Sequence, residues 1–400
     1  MGQSKVAIAR GGDDKFKLLD EVADRAGFWP HVETAWEASQ KSREQFSIAV
    51  KPNLMIFMNR QVPETATDPE LVEHLLHRLN DRGFTNLKVV ESQNTMGNWV
   101  KNRSVANVAR VAGYTGKGYQ IVDLSLEMDR YTYKVKGMPN WTNFVGRSWR
   151  DADYRIDFAK FKSQPDNRYT LNLKNQFGTL PLQNKYMEYH TRLPYWACTM
   201  YTLDNFPVHF GFIDAWIGSD GAGGFAVQYN PKLFKIMLAG QDILALDLVG
   251  ARLMGVDAWE SPLPRFVMMN WGEPEIEVDG DDTPLADWNP VPEEIHNIVD
   301  IGQAIYIIAN VGAAAGILNL DTKEFPPRIS ILRWYYLFLN WIFLTFYGRR
   351  VSRRNRESFH RELETQRTSQ LAAKSGHGFL TNTANGAPSA KTAGNTRANI

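Results

Sequence analysis

The stretch that most restricts the fold runs from residue 46 to residue 92. "FSIAVKPNLMIFM" (46–58) is a β-rich run ending in a Pro-Asn break, as a buried strand does. "TDPELVEHLLHRLNDRGF" (67–84) follows the helical period. Thr67 or Asp68 can cap it, Pro69 suits its first turn, Leu71, Leu75, Leu76 and Leu79 make one face, and Gly83 stops it. "NLKVVES" (86–92) is the next strand. Strand, helix, strand argues a parallel α/β sheet.

The rest of the chain extends that pattern. "KVAIARG" reads as a first strand, "SVANVARVAGY" as a short helix and "YQIVDLS" as a further strand. Residues 131–150 read as aromatic and irregular. "YRIDFAKF" and "YTLNLKN" read as strands joined by the turn "SQPDN". "VHFGFIDAWIG" (208–218) is a strand running into the glycine-rich loop "GSDGAGGF", and "FKIMLAGQDILALDLVGARLMG" (234–255) is strand, turn, helix and glycine stop. Residues 256–295 read as a long loop or small subdomain. The expected class is α/β, a mostly parallel sheet flanked by helices, over residues 1–298.

Composition narrows the function. The chain has 400 residues, 44% of them hydrophobic, enough for a large core. Its net charge of +1 gives no case for a nucleic-acid binder. One cysteine, Cys198, excludes a disulfide framework, a cysteine-based zinc site and a cysteine-ligated iron–sulfur cluster within one chain. The first residues show no signal-peptide apolar region, and Val6 breaks the myristoylation pattern, so the α/β domain is expected in the cytosol.

The C-terminal part differs. Residues 301–320 carry no charge. "ISILRWYYLFLNWIFLTFY" (329–347) has fifteen apolar residues of nineteen, with aromatics near both ends. A helix of that length is about 28 Å long, near the hydrocarbon thickness of a bilayer. The alternative is a buried C-terminal helix. Arg349, Arg350, Arg353, Arg354 and Arg356 follow. A single crossing would carry them to the far side, against the positive-inside rule. Two arrangements avoid this: a hairpin of 301–320 with 329–347, or one helix lying in the interface with its arginines on anionic headgroups. Residues 299–348 are therefore expected to hold the domain at the cytoplasmic face of a membrane. Residues 349–400 read as a basic then disordered tail.

Lysines at strand ends suggest a site. Lys160 and Lys162 are two apart and share a strand face. Lys174 is followed by Asn175, Gln176 and Gly178; Lys185 and His190 come soon after; Lys51 and Asn53 close an early strand. Such groups suit an anion, phosphate or carboxylate, although most lysines at strand ends are solvated. Carboxylates stand nearby in sequence. Asp153 precedes a strand, Asp214 ends one, and Asp220 sits beside Gly221 in the glycine-rich loop. Asp214 and Asp220 are the candidates for a divalent cation. Asp247, amid "ILALDLVGA", needs a partner if buried. "GSDGAGG" is neither a Walker loop nor a dinucleotide fingerprint.

"AVKPNLM", "VVES", "DADYRIDFAKFKS", "LNLKNQFGTLP", "KYMEYH", "FIDAWIGSDG" and "LAGQDILALDLVGARLMG" together resemble the domain of unknown function 362 family, from about residue 45 to 260. The resemblance implies an α/β protein. Many members carry a ferredoxin-type module; with one cysteine, no iron–sulfur cluster is expected here. Ser163-Gln164 stand where the family often shows Thr-His, so no role for that His is carried over.

Two functions are expected to compete. One is an enzyme binding an anionic small molecule through Lys51, Asn53, Lys160, Lys162, Asn175 and Gly221, with Asp153, Asp214 and Lys174 as catalytic candidates. The other is a non-catalytic scaffold at the membrane. Full-length protein is expected to sediment with membranes and resist carbonate extraction, and truncation near Asp300 to release it. Recovery of the full-length chain in a detergent-free soluble fraction would sink the membrane reading.

Overall fold

Eleven consecutive buried residues, Tyr154–Gln164, make the strand around which the sheet is built. The structure, a computed structural model, describes residues 3–293 apart from 56, 58, 61–64, 99, 165, 186 and 222–230, and then 321, 323–326 and 328. The segments 301–320 and 329–347 and the tail 349–400 lie outside the described residues.

In chain order the strands are β1 (Ser4–Arg10), β2 (Ile48–Pro52), β3 (Leu87–Glu91), β4 (Gln120–Asp123), β5 (Met128–Tyr133), β6 (Trp141–Gly146), β7 (Tyr154–Gln164), β8 (Arg168–Thr170), β9 (Phe210–Ser219), β10 (Pro231–Gly240) and β11 (Ile276–Asp279). The helices are α1 (Lys15–Arg25), α2 (Phe28–Ser39), α3 (Pro69–Asn80), α4 (Val105–Ala112), α5 (Arg147–Arg150), α6 (Asn172–Asn175), α7 (Tyr195–Asn205), α8 (Ile243–Leu253) and α9 (Pro262–Trp271). The described residues form a nine-stranded sheet in the order β11-β1-β10-β9-β7-β2-β3-β4, with β8 paired to β7. β10 runs antiparallel to both neighbours and β8 to β7; the other pairs are parallel.

From β2 the chain winds outward through β3 to β4, then returns to lay β7 on the other side of β2. The order therefore reverses between β2 and β7. In open α/β sheets ligands sit in the crevice outside the carboxyl ends of strands at such a reversal. The register puts Lys51 level with Asp157, and Lys160 level with Asp214.

Alternation splits each strand between two cores. Ile156 and Phe158 join Leu19, Val32, Leu75 and Val108 of α1 to α4 on one face. Ala159 and Phe161 join Met200, Leu246 and Leu263 of α7 to α9 on the other. α3 forms as its sequence dictates: the Asp68 carboxylate accepts from the Glu70 amide at 3.0 Å, and Leu71, Leu75, Leu76 and Leu79 are buried. Gly83, at φ +89°, turns the chain just after it.

Four stretches differ from the sequence expectation. The aromatic residues 131–150 contribute to an ordered hairpin, β5 against β6, whose Tyr133 packs on Trp141 and Phe206. "YTLNLKN" keeps only a short strand and turns into α6 at Asn172. Residues 256–295 hold α9 and β11. Lastly, the α/β domain does not end at residue 298. Phe325 is fully buried in the same core as α3 and α4, with the Arg103 guanidinium 4.6 Å from its ring centroid. The Lys101 amide donates to the Pro326 carbonyl at 2.9 Å, and Asn102 Nδ2 to the Glu324 carbonyl at 3.0 Å. Arg110 pairs with Glu324 at 2.8 Å.

Residues 323–326 are thus a strap across the domain, and a truncation that tests the membrane segment belongs after Arg328, not at Asp300. Phe325→Ala is expected to destabilise the domain by about 3–5 kcal/mol, the usual loss for a buried phenylalanine. Denaturant unfolding measures it; a change within about 0.5 kcal/mol, as for surface substitutions, would show that the strap adds nothing to the core.

Candidate functional site

Two buried carboxylates place α6 at the carboxyl end of the sheet. Asp247, on α8, accepts from the amides of Asn172 and Leu173 at 2.8 Å each and from Asn172 Nδ2 at 3.1 Å. These amides open the short helix, so Asp247 has the partners its burial demands. Burial still pushes its carboxyl up to about 7. Asp157, on β7, accepts from Asn175 Nδ2, and from Gln176 Nε2 at 2.7 Å. Burial raises Asp157 well above the carboxylate range, opposed by Lys51. Asn175 also donates to the Lys51 carbonyl at 3.0 Å and accepts from Lys51 Nζ at 3.2 Å. One side chain therefore links β2, β7 and α6.

Lysines crowd around this frame. Lys51 donates to Glu91 Oε2 at 2.9 Å and to the Pro52 carbonyl at 2.7 Å. Lys160 donates to Asp214 Oδ2 at 2.7 Å. These two have carboxylate partners. Lys162 and Lys185 are buried too, but among the described residues they donate only to neutral oxygens. Lys162 reaches Asn53 Oδ1 at 3.0 Å and the Thr65 carbonyl at 2.5 Å. Lys185 reaches Ser92 Oγ at 2.6 Å and the carbonyls of Phe177 and Leu180 at 3.1 and 2.5 Å. Lys174 lies over the rings of Phe177 and Tyr195, its Nζ 4.5 and 4.8 Å from their centroids.

The five amines act on one another. Burial pulls Lys162 down to about 7, and Lys160, Lys174 and Lys51 push the same way. Burial likewise pulls Lys185 to about 7 against the pull of Glu91, with Lys51 and Lys174 adding to the depression. Lys174 falls to about 8 through burial, opposed by Asp166. Among the described residues the cluster thus holds three amines without a carboxylate partner.

The structure gathers some expected residues and scatters others. Lys51, Asn53, Lys160, Lys162, Lys174 and Asn175 come together, and Asp214 joins them as the counter-ion of Lys160. Asp153 stands at the amino end of β7, paired with Lys41 at 2.6 Å and accepting from the Ser47 amide at 2.9 Å. That is the end of the strand opposite Lys162. Gly221 donates its amide to the Asn289 carbonyl at 2.9 Å and accepts from Ser163 Oγ at 2.7 Å, with φ at +77°. It serves a turn. Asp214 and Asp220 are six residues apart, roughly 20 Å along an extended strand. Asp214 is filled by Lys160 and by the amides of Asp68 and Trp216, and Asp220 by Lys232 at 2.8 Å and Asn289. The cation each one holds is a lysine. This does not fit a divalent ion between them. Among the described residues no group of three or more His, Cys, Asp or Glu side chains could hold a metal.

Sequence reasoning passed over Glu91, Asp157 and Ser92. The two carboxylates had a signal: Glu91 ends the strand in "VVES", and Asp157 lies inside the apolar run "YRIDFAKF". Gly178 had none. A Cβ there would lie 2.5 Å from Lys51 Cε and Nζ and 2.6 Å from Glu91 Oε1. Its backbone is the wall against which that ion pair packs.

The arrangement can bind negative charge or hold a neutral amine. The second property sets a pH dependence. Folded Lys162 titrates near 7, below its ordinary 10.5. Between these values the unfolded chain binds more protons, so this lysine's share of stability grows as pH rises and is lost on acidification toward 7. Lys162→Met removes that slope. Its melting temperature, minus that of the wild type, should fall steadily across this interval; a constant gap would show that Lys162 keeps its ordinary affinity for protons.

The family profile "Domain of unknown function (DUF362)" matches residues 48–252. No curated protein and no solved structure matches the chain significantly. The profile spans more than half of the sequence and covers β2 to α8, the elements that supply Lys51, Glu91, Asp157, Lys160, Lys162, Lys174 and Lys185. The chain belongs to the domain of unknown function 362 family.

Proposed function

We propose that the chain is a membrane-tethered α/β domain whose lysine cluster binds an anionic small molecule, in the manner of an enzyme active site. The observation that supports it is the charge imbalance at the carboxyl ends of β2 and β7. Lys162, Lys174 and Lys185 stand there with no carboxylate of their own among the described residues. Burying uncompensated charge is unfavourable, and a bound anion would remove the penalty. The place is also the one where open α/β sheets bind ligands. A scaffold needs none of this, because surface lysines would serve it equally well. The tether rests on the composition of 329–347 and the arginines after it.

Inorganic phosphate and a panel of small mono- and dicarboxylates test the site by thermal shift and calorimetry. An anion that binds should raise the melting temperature. A desolvated charge-assisted hydrogen bond contributes about 1.5–3 kcal/mol, so Lys174→Ala should weaken binding by roughly ten- to a hundredfold. Its melting temperature without anion should change little, since Lys174 donates to no oxygen among the described residues. Absence of any stabilising anion, or variants that bind like the wild type, would leave the scaffold reading.

A further inference from the structure

Lys174 differs from its four neighbours. Lys51, Lys160, Lys162 and Lys185 are buried, and each amine donates to oxygen. Lys174 is only part-buried, and its amine finds no oxygen among the described residues. It is held instead by Phe177 and Tyr195. His190 packs on the same two rings, at 5.2 and 5.3 Å between centroids. Lys185 lies 5.4 Å from the Phe177 centroid, so two amines stand against one ring. An amine set against aromatic faces, beside other cations, is the setting in which lysine turns nucleophilic.

We propose that Lys174 is a nucleophile that condenses with the carbonyl of a small 2-oxo acid whose carboxylate is held by Lys162 and Lys185. This rests on the anion-binding reading above. The division of labour follows from geometry: two amines are fixed by hydrogen bonds to oxygen, while the third makes none among the described residues. The depression of Lys174 to about 8 agrees with it, since a usable fraction is neutral near neutral pH. Lys174 first gives a proton to solvent. Its nitrogen lone pair then attacks the carbonyl carbon, and the C=O π electrons move to oxygen. A proton passes from nitrogen to that oxygen, giving a carbinolamine. Solvent returns a proton to the hydroxyl, which leaves as water, and the nitrogen lone pair closes a protonated C=N bond. No redox partner is needed.

Full-length protein is incubated with pyruvate and sodium cyanoborohydride, digested and mapped by mass spectrometry. Hydride transfer to the imine carbon should leave a stable carboxyethyl group on the peptide containing Lys174, about tenfold above any other lysine. Lys174→Arg should lose it while melting like the wild type. Lys185→Met should reduce it about tenfold, and excess phosphate should suppress it. Labelling spread evenly over exposed lysines, or unchanged in Lys174→Arg, overturns the proposal. If phosphate raises the melting temperature but Lys174 stays unlabelled, the anion site stands and the nucleophile falls. If neither occurs, both fall.

Discussion

Asn175 is the joint on which the site depends. Its amide group donates to the Lys51 carbonyl and to Asp157, and its oxygen accepts from the Lys51 ammonium. Every one of these groups is buried. A buried polar network is favourable when complete and costly when one member is missing, because the partners left behind cannot turn to water. Asp247 fixes the other end of α6 through the amides of Asn172 and Leu173. The position of Lys174 is therefore set by two carboxylates that hold the helix and do not touch Lys174.

Around this joint the charges do not balance. Lys51 and Lys160 have counter-ions whose side chains are almost wholly buried. Such pairs contribute little net stability, but loss of one partner costs about 3–5 kcal/mol. The remaining amines lower their affinity for protons instead. Folding and proton release then draw on the same free energy.

The sheet was largely legible from sequence, the site only in outline. β2, α3 and β3 follow from apolar periodicity and from Asp68, Pro69 and Gly83, all local signals. α6 was misread as strand because "YTLNLKN" alternates, and the cap that makes it a helix comes from Asp247, more than seventy residues away. The lysines were recognisable as unusual, since a lysine in an apolar strand needs a reason. Their partners were not, because pairing across parallel strands depends on register: Lys160 meets Asp214 only because β7 and β9 align that way. Of the two carboxylates read as metal ligands, Asp214 holds a lysine across the parallel β7–β9 pair and Asp220, just past β9, holds Lys232 of the antiparallel β10.

The strap at 323–326 bears on how the domain can stand on a surface. Phe325 is seated among residues of the loop that follows β3, and that loop belongs to the carboxyl edge of the sheet. Only two residues, Pro327 and Arg328, separate Pro326 from Ile329, the first residue of the apolar run, about 10 Å of chain when extended. A bilayer holding 329–347 would leave the domain no slack to tumble. Its carboxyl edge, with Lys162 and Lys174, would be moored close against the headgroups. The leash length would then decide what the site can reach: molecules arriving along the membrane plane before those from the open solution.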